Sequence, residues 1–589
     1  MATEVKMPQL GLTMEEGTVD EWVKHEGDEV KKGDVLCIIA TDKLTNELEA
    51  EEDGTLIKIV AQEGDDIPVQ GTLAYIGQPG EQVPGASAPA PAETPAETPA
   101  APAAAPAPAA AAPAAPAELD MNGKTVGIIG GGPGGYICAI RCAQLGGKVT
   151  VIEREHMGGT CVNIGCIPTK VLVHSGDVAA SFQQMDDIGV VGEFKGVNWD
   201  KVQAKREYIV KRMRSGVTGL MKANKIKVVK GEASFKDSKT LNVKKSDGTE
   251  EEMSFDATVI ATGSKNFAPP IPGLDSPEVI DSTGALSLKE QPKSMIIVGG
   301  GVIGIEFATA YQEMGTQITI LEALPRLLPP MDGELTGELQ GILTEQGMDI
   351  HLECKVTKIE STGNGAKVTV DHNGTEETFE AEKVLVAIGR RSNLDGLNPE
   401  AAGLELEKGH IVANDRQETS VPGIYAIGDC VGKTMLAHTA MSMGEVAAEN
   451  IAGGDSHYGG VEPSAVYANP EFACVGMTEE AVKEAGIPYH VGKFPLTANA
   501  KALIENGGKG TVKFIIGDEY GEILGCHILG ARASDLISEA AATMDLEGTV
   551  DDIIATIHSH PTIYEAVRDA ACVAEGRPMN FPPAKKRKK

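Results

Sequence analysis

Val126-Gly127-Ile128-Ile129-Gly130-Gly131-Gly132-Pro133-Gly134-Gly135 decides the fold. It reads as a buried strand running into a glycine loop, with a small-residue helix beyond. Met295-Ile296-Ile297-Val298-Gly299-Gly300-Gly301-Val302-Ile303-Gly304 repeats the pattern. Each copy continues into a second strand that ends in an acid, Val149–Glu153 and Ile318–Glu322. The acid stands 23 residues after the first glycine in both (130 to 153, 299 to 322). One such loop is weak evidence; two in matched strand–loop–helix–strand context predict two dinucleotide-binding folds. The first glycine makes the turn, the second admits a pyrophosphate, and the third lets helix pack on strand. The helix N-terminus then offers free N–H groups to phosphate. Glu153 and Glu322 can accept bonds from ribose hydroxyls. Glu322 would repel a 2′-phosphate and so favours NAD over NADP, a preference that Arg326, four residues on, opposes.

The 589 residues allow three to five domains. Lys and Arg number 52 against 85 Asp and Glu, a net charge of −33. A chain this acidic is a poor partner for nucleic acid or anionic lipid. Gly at 69 residues, well above the usual ~7%, fits folds with close backbone approaches. The uncharged tract around 100–117 is the one stretch long enough to span a membrane, and its prolines bar a spanning helix. Met1-Ala2-Thr3-Glu4-Val5 lacks a basic region followed by an apolar run, so a cleaved signal peptide is not expected. Ten scattered cysteines are no secreted disulfide framework. The expectation is a reducing cytoplasm, with any close cysteine pair performing chemistry.

Composition also divides the chain. Val83–Ala117 is almost wholly Ala and Pro and cannot bury a core. As polyproline II it would reach ~100 Å, a semi-stiff tether. Before it, Glu26-Gly27-Asp28-Glu29-Val30 recurs 37 residues later as Glu63-Gly64-Asp65-Asp66-Ile67, and strands follow both copies. This predicts two small sheets related by a pseudo-twofold, with Lys43 on a hairpin tip between the copies. Beyond about residue 465, strands over 510–516 and 523–529 and helices over 535–546 and 549–557 predict a separate α+β domain. Lys585–Lys589 closes the chain with a basic tail, read as a solvated segment or else as an import signal or a patch for an acidic partner.

Three further features carry chemistry. Cys161 and Cys166 stand five apart in Gly158-Gly159-Thr160-Cys161-Val162-Asn163-Ile164-Gly165-Cys166-Ile167-Pro168-Thr169-Lys170, at or near a helix start. A helix N-terminus lowers thiol pKa and favours thiolate. The spacing does not suit zinc, and no metal site is expected. His558-Ser559-His560-Pro561-Thr562-Ile563-Tyr564-Glu565 offers a base with a carboxylate to orient it. Alone, this octapeptide reads more readily as a structural or surface histidine, and it does not choose between His558 and His560.

Residues 121–582 together resemble the pyridine nucleotide–disulfide oxidoreductase family. The cysteine run resembles the family's redox-active disulfide. Ala261-Thr262-Gly263 and Ala426-Ile427-Gly428-Asp429 resemble its flavin motifs, and His560-Pro561-Thr562 with Glu565 its C-terminal base. The resemblance implies a Cys161–Cys166 disulfide, Cys161 meeting substrate and Cys166 facing the flavin. It implies FAD lined by Gly130, Gly132, Gly135, Glu153, Lys170, Ala233, Thr262, Gly263, Asp429 and Ala437. NAD+ would be lined by Gly299, Gly301, Gly304, Glu322, Val356 and Gly389, with Glu306 pairing Lys170 near the flavin ring. His560 with Glu565 would be the base, serving the other subunit's disulfide in a homodimer. Tyr564 departs from the family's usual Ser. Within the family the likeness is to members that oxidise dihydrolipoyl groups with NAD+, partnered by the lipoyl-bearing acyltransferase core of a 2-oxo acid or acetoin dehydrogenase complex. A glutathione reductase-like use would want basic residues in place of Glu322. A mercuric reductase-like use would want a C-terminal cysteine pair, where Cys572 stands alone.

Residues 1–79 resemble a lipoyl domain, which implies covalent lipoyl on Lys43; a biotinyl domain would typically read Met-Lys-Met there, against Asp42-Lys43-Leu44. A lipoyl-bearing scaffold without catalysis is the rival of a different class. The expected architecture is α/β: two Rossmann-like domains at 121–270 and 271–394, a flavin-associated segment at 395–465 and an α+β interface domain at 466–582. An all-β lipoyl-type sandwich (1–79) precedes them on an Ala/Pro linker (80–120), and a basic tail (583–589) follows.

Overall fold

The computed structural model describes residues 3–8, 16–40, 45–50, 52–62, 65–69, 71–77, 119–182, 185 and 188–582. The chain divides into two units, Met1–Pro113 and Ala114–Lys589.

The first unit is a sandwich of two four-stranded sheets. Its strands are β1 (Thr3–Lys6), β2 (Glu16–Trp22), β3 (Glu29–Val30), β4 (Val35–Ala40), β5 (Thr45–Glu49), β6 (Gly54–Ile59), β7 (Asp66–Pro68) and β8 (Thr72–Gly77). One sheet runs β1-β8-β6-β3 and the other β5-β4-β2-β7. Replacing each strand by the one four places away converts one order into the other, which is the pseudo-twofold that the 37-residue repeat predicts. The repeat reaches single bonds. His25 N–H donates to Asp28 Oδ2 and Gln62 N–H donates to Asp65 Oδ2, each at 2.8 Å. Val19, Trp22, Leu36, Ile39, Leu56, Leu73 and Ile76 fill the space between the sheets. Lys43 falls among residues 41–44, between β4 and β5, and lies outside the described residues, as do the Ala/Pro tract and the basic tail.

Three sheets organise the second unit. Strand Thr125–Ile129 lies parallel between Lys148–Glu153 and Ala257–Ile260 in a seven-stranded sheet. Its far edge strand, Ile424–Ala426, arrives only after the second sheet is complete. Strand Ser294–Val298 is the centre of a five-stranded parallel sheet, between Gln317–Leu321 and Lys383–Val386. These near-continuous apolar strands suit sheets covered on both faces. The third sheet is antiparallel, in the order Ser464–Val466, Glu471–Gly476, Ile523–Gly530, Thr511–Gly517, Tyr489–Pro495. The helices expected over 535–546 and 549–557 run Ala533–Asp545 and Val550–Ala555. A further helix, Tyr564–Ala574, follows the histidine run.

A buried cation joins the second and third sheets. Lys513, 1% exposed, donates to Asp332 (2.9 Å), Glu334 (3.0 Å) and Glu479 (2.7 Å). Asp332 also caps helix Gly333–Glu345 by accepting from the Glu334 and Leu335 N–H groups. Removing the cation strands a buried carboxylate, so Lys513→Met should cost about 3–5 kcal/mol. Burial raises the Glu479 pKa, but bonds from Lys483, Lys513 and Tyr489 outweigh it and hold the carboxyl at about 2. A carboxyl depressed on folding stabilises fully above its unfolded pKa of about 4.3. That stabilisation is lost as pH falls toward 2. Thermal melting of wild type between pH 7 and 3 should show the loss, and Lys513→Met should flatten it.

Candidate active site

The two glycine loops have the same local geometry. Gly130 (φ +109°) and Gly299 (φ +108°) take a backbone conformation that side chains resist. A Cβ added to Gly135 would lie 2.0 Å from the Gly130 carbonyl oxygen, and one on Gly304 would lie 2.1 Å from that of Gly299. These four positions are glycine because backbone already fills the space. At the middle glycines the reverse holds. A Cβ on Gly301 meets nothing within 4 Å, and one on Gly132 meets only the Gly159 Cα at 4.0 Å. Space lies open where each loop meets its helix start, Pro133–Gln144 and Val302–Glu313. Gly263 and Gly389 also face open space. Cradles of this shape, with helix N–H groups beside them, fit the diphosphates of FAD and of a pyridine nucleotide.

The acids close the cradles. Glu153 accepts from Gly131 N–H at 2.7 Å, and Glu322 from Gly300 N–H at 2.6 Å. Glu322 is 8% exposed. Arg326, the sequence's counter-argument at this site, is turned elsewhere: it donates to Glu480 (3.1 Å) and to the Pro329 carbonyl (2.5 Å).

Cys161 lies in the short helix Gly159–Ile164, and Cys166 opens helix Cys166–Ser181. The thiols are unjoined; Cys161 is half-buried and Cys166 exposed. They share a hydrogen bond. It pulls Cys166 down to about 7, helped by the Lys170 ammonium, and together with burial it pushes Cys161 far up. The pair therefore favours charge on Cys166 over charge on Cys161. Asn163, between them, donates to the Met157 and Gly159 carbonyls and accepts from Arg214 at 2.7 Å, which pins the short helix.

One turn beyond Cys166, Lys170 donates to both oxygens of Glu306 at 2.8 Å. Glu306 is 5% exposed and also accepts from Tyr467 N–H at 3.2 Å. The ammonium sits 4.2 Å from the centre of the Tyr467 ring. Three stretches of chain thus converge on one ion pair. Of the remaining predicted residues, Thr262 and Gly263 follow strand Ala257–Ile260, and Asp429 lies in the short helix Gly428–Val431, accepting from Ser264 Oγ. Ala437 opens helix Ala437–Ile451, while Ala233 and Val356 are buried strand residues. Sequence reasoning missed Tyr467, Arg214 and Arg390, which donates to Ser264 Oγ at 2.8 Å. No short-range spacing marks them.

The histidine run holds two His–Glu pairs. His560 Nδ1 lies 2.9 Å from Glu565 Oε1, with a side chain 79% exposed. Thr562 N–H holds the other Glu565 oxygen at 2.9 Å. His558 is 6% exposed, with Nε2 2.7 Å from Glu539 Oε1 and Nδ1 3.0 Å from the Thr556 carbonyl. His560 alone presents a free ring nitrogen to solvent. Among the described residues no hydrogen bond or ion pair links either histidine to Cys161 or Cys166.

Two dinucleotide cradles beside a close cysteine pair define a nucleotide-linked disulfide oxidoreductase. Residues 124–444 match the family model "Pyridine nucleotide-disulphide oxidoreductase", and 462–571 match that family's dimerisation domain. Residues 3–76 match the model "Biotin-requiring enzyme". Dihydrolipoyl dehydrogenase of Bacillus subtilis is 42% identical over 459 residues, 77% of this chain and 97% of the relative. The mitochondrial enzyme of that name from Pisum sativum is 39% identical over 77% of this chain and 92% of its own. Among solved structures, the HOCl-induced flavoprotein disulfide reductase RclA from Escherichia coli is 30% identical, with a TM-score of 0.69 over 76% of this chain and 99% of that one. LpdA from Mycobacterium tuberculosis is 25% identical, with a TM-score of 0.72 over the same shares. The chain belongs to the pyridine nucleotide–disulphide oxidoreductase family, with a lipoyl-type domain at its N-terminus.

The thiol electrostatics make a prediction. In the reduced protein, iodoacetamide labelling of Cys166 should rise through an apparent pKa of about 7. Lys170→Met should raise that value by about one unit. Labelling that rises only near the ordinary thiol value of about 8.5 contradicts the charge placement.

Proposed function

We propose that this protein is a dihydrolipoyl dehydrogenase, oxidising protein-bound dihydrolipoyl groups with NAD+. The observation that carries the reading is the Cys161–Cys166 pair at a helix start, one turn from the Lys170–Glu306 ion pair. The dihydrolipoyl dehydrogenase name of the bacterial and plant relatives supports it.

Oxidised, Cys161 and Cys166 form a disulfide. A dihydrolipoyl thiolate attacks Cys161 Sγ, making a mixed disulfide and releasing Cys166 as thiolate. The second substrate thiol displaces Cys161, which closes the lipoyl disulfide and leaves the dithiol. His560 Nε2 takes the thiol proton, and Glu565 on Nδ1 holds the ring orientation. Lys170 favours the Cys166 thiolate, and Glu306 balances the ammonium. FAD, when bound, supplies the path for the electron pair from dithiol to NAD+. Gly130, Gly132, Gly135, Glu153, Thr262, Gly263, Asp429 and Ala437, with Ala233 nearby, hold FAD. Gly299, Gly301, Gly304, Glu322, Val356 and Gly389 hold NAD+. Arg326, engaged by Glu480, is not turned to offset the repulsion of a 2′-phosphate by Glu322. His560 is exposed on the third-sheet domain, and the dimerisation-domain match supports a homodimer in which it serves the partner's cysteines. Lipoyl on Lys43, a cytoplasmic setting and service to a 2-oxo acid or acetoin dehydrogenase complex complete the reading.

The test is NAD+ reduction by dihydrolipoamide with flavin-loaded protein. We expect turnover, lost in Cys161→Ser by at least about a thousandfold with flavin retained. kcat/KM should favour NAD+ over NADP+ by about a hundredfold or more. Absence of turnover, or parity between the nucleotides, overturns the corresponding part.

A second prediction concerns the N-terminal unit. Cut at the Ala/Pro tract after expression with a lipoylating system, it should carry lipoyl mass, and Lys43→Ala should not. NADH should reduce the lipoyl of the intact chain, since tethering holds it near the millimolar range. Lipoyl mass retained in Lys43→Ala contradicts the assignment.

A further inference from the structure

One helix runs against the charge of the chain. Trp199–Ala223 carries seven Lys and Arg against two acids, Asp200 and Glu207, in a protein with 85 acids and 52 bases. We propose that its outer face is the docking surface for the acidic lipoyl-type domain that this protein carries at residues 1–79. The proposal rests on the reading of Lys43 as the lipoyl carrier and of Cys161 and Cys166 as the pair that serves it.

The helix sorts its residues by face. Trp199, Val210, Val217 and Met221 are buried. Lys201, Lys205, Tyr208 and Arg212 follow one another at spacings of four, three and four, which puts them together on the opposite side. All four are exposed, and so is Lys211 beside them. The stripe runs about 17 Å along the helix axis. Among the described residues the helix forms one ion pair, Arg206 with Glu207 at 3.3 Å, so the cations of the stripe hold no carboxylate. Arg212 instead donates to Tyr208 Oη at 3.3 Å, and the Lys205 ammonium lies 5.7 Å from the centre of the same ring. Like charges four apart, as at Lys201 and Lys205, destabilise a helix. The stripe therefore opposes helix stability and favours a negative partner.

The face lies beside the cysteines. Two residues past Arg212, Arg214 donates to Asn163 Oδ1 at 2.7 Å, and Asn163 stands between Cys161 and Cys166. The helix also packs on helix Cys166–Ser181. A domain held on the stripe is held next to the redox pair.

The charge of the occupant is complementary. Residues 1–79 hold 6 Lys and Arg against 18 Asp and Glu, a net charge of −12. From Asp42 to Asp53, six acids surround a single cation, Lys43 itself, whose charge lipoylation removes. Negative charge thus arrives with the arm. Attraction between exposed charges steers the domain onto the helix and holds it weakly, so the arm can leave after exchange.

The test compares two substrates on flavin-loaded, lipoylated, full-length protein. One is free dihydrolipoamide, a small uncharged molecule. The other is the protein's own lipoyl, reduced by NADH and counted as alkylated thiols on the N-terminal unit. There NADH and a proton become NAD+ as the lipoyl disulfide opens to two thiols. Lys201→Glu, Lys205→Glu, Lys211→Glu and Arg212→Glu combined should slow reduction of the protein's own lipoyl by about tenfold. The same variant should leave kcat/KM for free dihydrolipoamide within about twofold of wild type. A control set of exposed lysines elsewhere, Lys244→Glu, Lys289→Glu, Lys408→Glu and Lys509→Glu, should leave both rates unchanged. Flavin content and melting temperature identify a variant that fails to fold, and salt on the wild type then decides. Between about 10 mM and about 1 M the screening length falls from ~30 to ~3 Å, and reduction of the protein's own lipoyl should fall by about tenfold while free dihydrolipoamide turnover holds. Equal slowing of both substrates, or equal slowing by the control set, overturns the proposal. So does an unmoved rate for the protein's own lipoyl, which leaves the face to another acidic partner. A wild type that does not turn over free dihydrolipoamide defeats the functional reading beneath it instead.

Discussion

Two places where backbone touches backbone govern the architecture. At Gly135 and Gly304 the helix approaches its strand so closely that an added Cβ would meet a carbonyl oxygen at 2.0 and 2.1 Å. Any side chain there would push helix from sheet and turn the helix N-terminus away from its cradle. The middle glycine would lose its open face, and the acid its bond to the loop N–H. One steric limit, met twice, therefore sets how closely each helix packs on its strand and the shape of the two glycine loops.

The cysteine site depends on a second constraint. Lys170 and Glu306 lie 136 residues apart, on helices of different sheets, and meet at 2.8 Å. Glu306 is nearly enclosed, and leaving it unpaired would be costly. The ion pair fixes helix Cys166–Ser181 against helix Val302–Glu313, and so fixes Cys166 relative to the second nucleotide loop. The same ammonium favours charge on Cys166. A single cation thus locks geometry and biases the thiols.

Whatever depends on short-range spacing was legible in the sequence. The glycine loops, their acids, the five-residue cysteine spacing and the 37-residue repeat all show before any contact is known. Contacts between distant segments were not. Arg326 stood as an argument against NAD preference until Glu480, 154 residues on, was seen to hold it. Lys513 reads as an ordinary strand residue, and only the convergence of Asp332, Glu334 and Glu479 explains its burial. The octapeptide did not separate His558 from His560 because it holds a single glutamate, and Glu539, which His558 meets, lies 19 residues before that histidine; burial separates them. Lys170 with Glu306 came from family resemblance, since nothing local announces a pair so far apart.

The account stands on Cys161 and Cys166 being the pair that exchanges electrons with dihydrolipoyl substrate. Differential alkylation tests this directly. The oxidised, flavin-loaded protein is blocked with one reagent, reduced with dihydrolipoamide, labelled with a second and mapped by peptide mass. The second label should appear on Cys161 and Cys166 together and on none of the other eight cysteines. Label on another pair, or none at all after dihydrolipoamide, would contradict it.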